Sequence, residues 1–221
     1  MQERAVPARD VGGSMAQAAT GEYVFQLTGG RLCLDFANTL SGGRERPTER
    51  LIAYRDLVTW GRQAGVLSDG DARHLARVAA QHPHDAARTL AAAIALRETL
   101  YRIFSSVIDA SGTAPADLAA LNAALARAAA RLRVVARADR FEWAWAADGE
   151  ALDRVLWPVV RSAADLLVSE EVAKVRRCAG DTCDWLFLDT SRNHTRRWCD
   201  MRDCGNRAKA RRYYARRKAG R

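Results

Sequence analysis

The chain has 221 residues, with 35 Lys+Arg against 26 Asp+Glu and a formal net charge of +9 at pH 7. That length suits one large or two modest domains, and the 48% apolar content, mostly Ala, Leu and Val, fits a helix-leaning globule. No apolar run approaches the roughly 20 residues of a membrane helix, and residues 1–20 lack the apolar centre of a secretory signal; a cytoplasmic protein without a membrane partner is expected.

The charge is unevenly placed. Residues 1–170 hold 20 Arg and no Lys against 20 Asp+Glu, whereas residues 171–221 hold 15 Lys+Arg against 6 Asp+Glu. A neutral body with a basic end points to a polyanionic partner.

Residues 1–20 read as a disordered tail of small residues, and a first domain runs over 21–170. Tyr23 to Leu27 is strand-like, Gly29-Gly30 a turn, LCLDFANTL an apolar stretch and SGGRERP a loop. From about Thr48 the spacing of Leu51, Tyr54, Leu57 and Val58 predicts an amphipathic helix ending at Gly65. Ser68 and Asp71 resemble a capping box, opening a helix through Leu75 and Val78 that QHPHD punctuates. A long helix over 85–109 carries Leu90, Ile94, Leu100, Ile103, Phe104 and Val107; Pro115 suits the first turn of the next. RLRVVAR and FEWAWA change to a period of two and predict a β-hairpin. Its Phe141, Trp143 and Trp145 share one face, expected in the core, and Asp148-Gly149 closes it. Residues 151–171 return to helical spacing, with Pro158 at a bend or in the first turns.

A second unit, 171–221, reads as strand (VRRC), turn, strand (CDWLFLDT), turn (SRNH), third strand (TRRWC) and a helix from Cys204. Four of the five cysteines fall here as C-x4-C-x15-C-x4-C: Cys178, Cys183, Cys199 and Cys204. Two tight loops, each presenting two sulfurs, complete a tetrahedron, so one structural Zn²⁺ is expected. Two disulfides or a redox switch are the alternative, disfavoured in a reducing compartment. So small a module has a poor core, and metal binding supplies much of its folding free energy. Cys33, in an apolar segment, reads as a plain buried thiol. The fold class is therefore α+β, mainly α: a helical N-terminal domain with a small β-hairpin or sheet, then a small zinc-binding β-hairpin-plus-helix module.

The helix from Cys204 carries Arg207, Lys209, Arg211, Arg212, Arg216 and Arg217, and Arg196 and Arg197 precede it. Arg207 and Arg211 share one face with Lys218, and Lys209, Arg212 and Arg216 stand beside it. Anchored at one end by a zinc sulfur, such a helix suits phosphates or a major groove, with duplex DNA the expected partner. An RNA-binding module and an adaptor for an acidic protein are the alternatives. In the body, Asp35 and Asn38 lie among apolar neighbours. Either they are structural, Asp35 meeting loop amides or Arg55, or Asp35, Asn38 and Arg55 form a pocket for a small-molecule effector. No phosphate loop, HExxH or nucleophile–base pairing is present, and no catalytic residue or enzymatic activity is expected.

The stretch CAGDTCDWLFLDTSRNHTRRWCDMRDCGNRAKARRYYARR resembles the CGNR zinc finger, named for the tetrapeptide Cys204-Gly205-Asn206-Arg207. LCLDFANTL, ERLIAYRDLVTWGRQAGVL, ALRETLYRIF and SAADLL resemble the ABATE domain, which precedes this finger in a family assigned to stress-induced transcription regulation. The resemblance implies zinc on the four cysteines, DNA binding by the finger and a regulatory role for the whole. Asn206 is expected to cap backbone groups beside the metal loop. A finger this small binds weakly alone, which suits a homodimer, although no heptad seam marks an interface.

Overall fold

The computed structural model describes residues 22–43, 45–146 and 149–219; the tail 1–20 and Asp148 lie outside them. Residues 22–28 do not form the expected strand. Gln63 Oε1 accepts from the Phe25 amide and Gln63 Nε2 donates to the Tyr23 carbonyl, both at 2.8 Å, so a side-chain amide stands where a strand would pair. LCLDFANTL folds as a short helix, Leu32–Ala37 (α1), burying Cys33, Leu34, Phe36 and Ala37. Burial pushes the Cys33 thiol up to about 12, as befits an inert core residue.

Leu40–Ser41 (β1) pairs with Thr48–Glu49 (β2) across the SGGRERP loop. That pairing delays the helix expected from Thr48 until Tyr54–Gln63 (α2), where Asp56 Oδ2 accepts from the Ile52 and Ala53 amides at 2.9 and 2.7 Å. Gly65, at φ +74°, terminates it in the left-handed conformation that glycine adopts without strain. The Ser68–Asp71 capping box forms as expected and opens Asp69–Gln81 (α3). Pro83–Ile108 (α4) and Pro115–Ala129 (α5) both begin on proline, whose missing amide costs nothing there.

The hairpin follows as Leu132–Arg137 (β3) and Arg140–Trp145 (β4). Trp145 packs against Trp157 in a tilted pair at 5.9 Å, but Phe141 and Trp143 are 78% and 61% exposed. The expectation that all three belong to the core is thus corrected: the ribbon outreaches the body beneath it. A 3₁₀ turn, Leu152–Val155, leads into Leu156–Leu167 (α6), with Pro158 in its first turn. In the core α4 packs against α1, α2, α3 and α5, and α6 against α1 and α5. Inside it Arg97, 2% exposed, makes bidentate bonds to Glu49 at 2.7 and 2.8 Å.

The C-terminal module comprises Val175–Arg177 (β5), Leu186–Leu188 (β6), a π-helical turn Met201–Gly205 and Asn206–Ala219 (α7). Its expected third strand is not formed. Asp189 Oδ2 takes the Arg196 amide at 3.0 Å, and Cys178 Sγ takes the Cys199 amide at 3.3 Å. Strand β6 alternates between two cores. Leu186 and Leu188 join the body's core while Phe187 packs with the cysteines. The seam is also hydrogen-bonded: the Leu188 amide donates to the Gly29 carbonyl at 2.8 Å, and Trp185 Nε1 to the Leu40 carbonyl at 2.7 Å. Tyr101 OH donates to the Asp184 carbonyl at 3.1 Å, and Arg177 pairs with Asp109 at 2.8 Å.

Candidate metal centre and nucleic-acid interface

Two loops build the sulfur cluster. The Cys178 amide donates to the Trp185 carbonyl and the Cys183 amide to the Gly180 carbonyl, so the first pair sits on a tight turn at the end of β5. Gly180 lies in this turn against the cluster: a Cβ there would meet Cys183 Cβ at 3.3 Å and the Cys204 and Cys178 sulfurs at 3.4 and 3.5 Å. Cys199 enters from the loop shaped by Asp189, and Cys204 from the π-helical turn before α7.

The four Sγ atoms lie within 4.8 Å of one another, with Cys199 Sγ 3.7 Å from both Cys183 Sγ and Cys204 Sγ. A tetrahedron with Zn–S bonds of about 2.3 Å has edges of about 3.8 Å, so the donor set fits zinc in size and chemistry. All four cysteines are buried and none forms a disulfide. Hydrogen bonding with Cys183 holds the Cys178 thiol well below its ordinary value, and contacts with Cys178 push Cys183 and Cys199 up. Four thiols this close share hydrogen bonds among their sulfurs, and a divalent cation would hold all four as thiolates. Arg207 Nη2 adds a donor to Cys204 Sγ at 3.2 Å. Asn206 Nδ2 donates to the Arg202 carbonyl at 2.9 Å, a cap on the turn that carries Cys204.

The basic residues divide by what holds them. Arg196 donates to the Trp198 and Cys199 carbonyls and lies over the Phe187 ring at 4.6 Å. Arg207 pairs with Asp203 at 3.2 Å, and Arg211 with Asp181 at 2.9 Å. These three face their own module. Arg197 lies over Trp198 at 5.5 Å and Arg217 over Tyr213 at 5.8 Å. Arg212 Nε donates to the Ala208 carbonyl of its own helix at 3.4 Å. Lys209, Arg212 and Arg216, spaced three and four apart, are exposed along one side of α7. No apolar stripe marks this helix, and Tyr213 and Tyr214 are both exposed.

The body residues proposed for a pocket are not brought together around one. Asp35 Oδ1 accepts from the Gly29 amide at 2.7 Å, and burial raises its carboxyl to about 7, partly offset by that bond. Asn38 is buried and pairs with Leu186 as a strand would: Nδ2 donates to its carbonyl and Oδ1 accepts from its amide, both at 2.8 Å. Arg55 is exposed, 3.8 Å from Asp56. Of the two partners expected for Asp35, a loop amide and Arg55, the structure supplies the amide of Gly29, and Asn38 is engaged by the backbone of Leu186. A cavity of about 410 Å³ opens elsewhere, between α4, α5 and α6, over Leu96, Leu156 and Trp157; Arg127, Glu150, Asp153 and the Arg88–Asp85 ion pair also line it.

Asp189, the last residue of the W-x-F-x-D run, carries no assigned role in the sequence reading. Fully buried, it accepts from the Ser191 amide and hydroxyl and from the Arg196 amide, and these bonds, working against burial, hold its carboxyl below the usual range. An Asp two residues before a Ser, at the end of an apolar strand, is the pattern of a side-chain-capped turn.

A helical N-terminal region joined to a four-sulfur, arginine-rich module defines a zinc-finger protein. Residues 30–170 match the ABATE family model, described as "Putative stress-induced transcription regulator", and residues 174–217 match the CGNR zinc finger model. The chain belongs to the ABATE family and carries a CGNR zinc finger. Both matches are to regulators and zinc fingers rather than to enzymes. A comparison with curated proteins gave no match. Among the described residues no helix is long and apolar enough to cross a membrane.

Proposed function

We propose that the protein is a zinc-dependent, DNA-binding transcription regulator whose finger grips duplex DNA through α7. The observation that carries this is α7 itself: it is pinned at its start by Cys204, has no apolar face, and exposes Lys209, Arg212 and Arg216 in one row. A helix polar all round gains little from packing on its own protein. A phosphate backbone supplies the missing partner, and the counterions it releases drive binding. On this reading Arg197 joins the row, while Arg196, Arg207 and Arg211 act mainly as supports that fix the metal loops. The family description supports the regulatory, stress-linked role.

Anisotropy titrations of labelled duplex DNA with the zinc-loaded chain test the reading. Replacing Lys209, Arg212 and Arg216 together by Ala is expected to lower the slope of log K against log salt by about 2.7, at roughly 0.9 per phosphate contact. An unchanged slope, or displacement of duplex by structured RNA at lower concentration, would overturn it; the second result favours the RNA-binding alternative.

Control by the body completes the proposal. The cavity over Trp157, apolar below and ringed by charges of both signs, Arg127 with Glu150 and Asp153 and the paired Arg88 and Asp85, suits an effector with an apolar body and both an anionic and a cationic group. Quenching of tryptophan emission by a zwitterionic aromatic amino acid, lost in Arg127→Ala, is the expected sign. Equal quenching in both would place the effector elsewhere.

A further inference from the structure

The β3–β4 hairpin belongs to neither the metal site nor the cavity. One of its faces is apolar in cross-strand pairs: Leu132 with Trp145, Val134 with Trp143, Ala136 with Phe141. The first pair reaches the body's core through Trp145 and Trp157. Beyond it Val134, Trp143 and Phe141 are 59%, 61% and 78% exposed, and Arg161 lies over the Trp143 ring at 5.0 Å. The sheet has two strands among the described residues, so each strand has a free backbone edge. An isolated ribbon is marginal in water, and an unblocked edge beside exposed aromatics is a template for another strand.

The charges choose the partner. Along β4 run Arg140, Phe141, Glu142 and Trp143, with Arg140 and Glu142 on the face opposite the aromatics. There Arg140 Nε donates to Glu142 Oε1 of its own strand at 2.7 Å and Arg137 lies 3.6 Å from Glu142, so a second copy would extend this exposed pair into a network rather than supply a first partner. Two copies of β4 laid antiparallel and centred on Phe141 set each Arg140 opposite Glu142 of the other copy. Centring on Glu142 would oppose two carboxylates, and centring on Trp143 would leave Glu142 opposite Ala144. Strand β3 paired with itself about Val135 would set Arg133 against Arg137. One register thus matches opposite charges, and it also places the two Phe141 rings side by side between the Ala136 residues.

We infer that the free edge of β4 pairs with the β4 edge of a second copy of this chain, antiparallel about Phe141, to give a four-stranded sheet. The assembly carries two fingers, and its two modest contacts with one polyanion act as a linked pair. The pairing itself does not depend on what the fingers bind.

Sedimentation equilibrium of the full, zinc-loaded chain tests this with Arg140→Glu, Glu142→Arg and their equimolar mixture. The wild type is expected to dimerise, and each variant alone to dimerise about tenfold or more weakly, because like charges then face each other across the seam. Mixing the two restores the dimer, since every carboxylate again faces a guanidinium between copies although each chain is mismatched within itself. A wild type monomeric to the order of 100 µM, variants that dimerise like the wild type, or a mixture that stays monomeric would each overturn the inference. Should a charge variant lose its helical circular dichroism, Phe141→Ser carries the test. It is expected to be monomeric, and wild-type dimerisation by it contradicts the proposal.

Discussion

The body and the finger solve the same problem with different materials. The body buries Leu34, Phe36, Leu57, Trp60, Leu100 and Phe104 in one apolar core. The finger has Phe187, four sulfurs and partial cover from Trp185 and Trp198. A module this small cannot exclude enough water to fold on apolar packing, so the metal supplies cohesion. Yet the two are not independent, because β6 gives Leu186 and Leu188 to one core and Phe187 to the other. Metal chemistry on one side of that strand therefore bears on hydrophobic packing on the other.

Removing the metal separates the two materials most sharply. Chelation, or Cys199→Ser, should unfold the finger, since structural zinc contributes apparent free energies of about 10–16 kcal/mol. Because the finger covers part of the body's core, thermal unfolding of the body should also move to lower temperature, which calorimetry would show; an unmoved body transition would mean that the seam carries no energy. Glu49→Gln comes next, for it leaves the Arg97 guanidinium buried with one weakened partner and Glu98 at 3.0 Å. A loss of about 3 kcal/mol in urea unfolding is expected, confined to the body. Asn38→Ala strands the Leu186 amide and carbonyl inside the seam, with an expected loss of about 2–3 kcal/mol and faster zinc release to a chelator. Unchanged release would show that α1 does not brace the finger.

Asp35→Asn is the most pH-dependent of these changes. The Asp35 carboxyl is raised to about 7 in the fold, chiefly by burial, and the unfolded chain ionises near its ordinary value of 3.8. Its contribution is fully present below about pH 4 and is lost as pH rises through about 7. The Asn variant keeps the acceptor for the Gly29 amide and removes the buried charge. It should come nearest the wild type below about pH 4 and exceed its melting temperature at pH 8; an equal difference at both would place the carboxylate in water.

The parts legible in the sequence were those in which local chemistry leaves few alternatives. Paired cysteines at matched spacing announced a tetrahedral site, and Ser68 with Asp71 announced a helix start. Period-two alternation located the hairpin and its faces, but not what lies opposite them, so Phe141 and Trp143 read as core although the body ends at Trp145. The third strand failed because the Asp189 carboxylate claimed the Arg196 amide, a long-range choice that strand propensity does not encode. Asn38 was visible as a polar residue in an apolar run, while its partner, 148 positions away, was not. Arg97 was hidden in the same way, since an arginine inside a helical segment usually faces water.

The most direct test of the central claim is the salt dependence of duplex DNA affinity, measured on one preparation before and after zinc is stripped and then restored. The metal-loaded chain should lose affinity with a slope near −3.6, about 0.9 for each of Arg197, Lys209, Arg212 and Arg216. The stripped chain should bind weakly and the restored chain recover. Equal affinity and slope in the loaded and stripped protein would contradict the claim that the metal positions these cations for a nucleic acid.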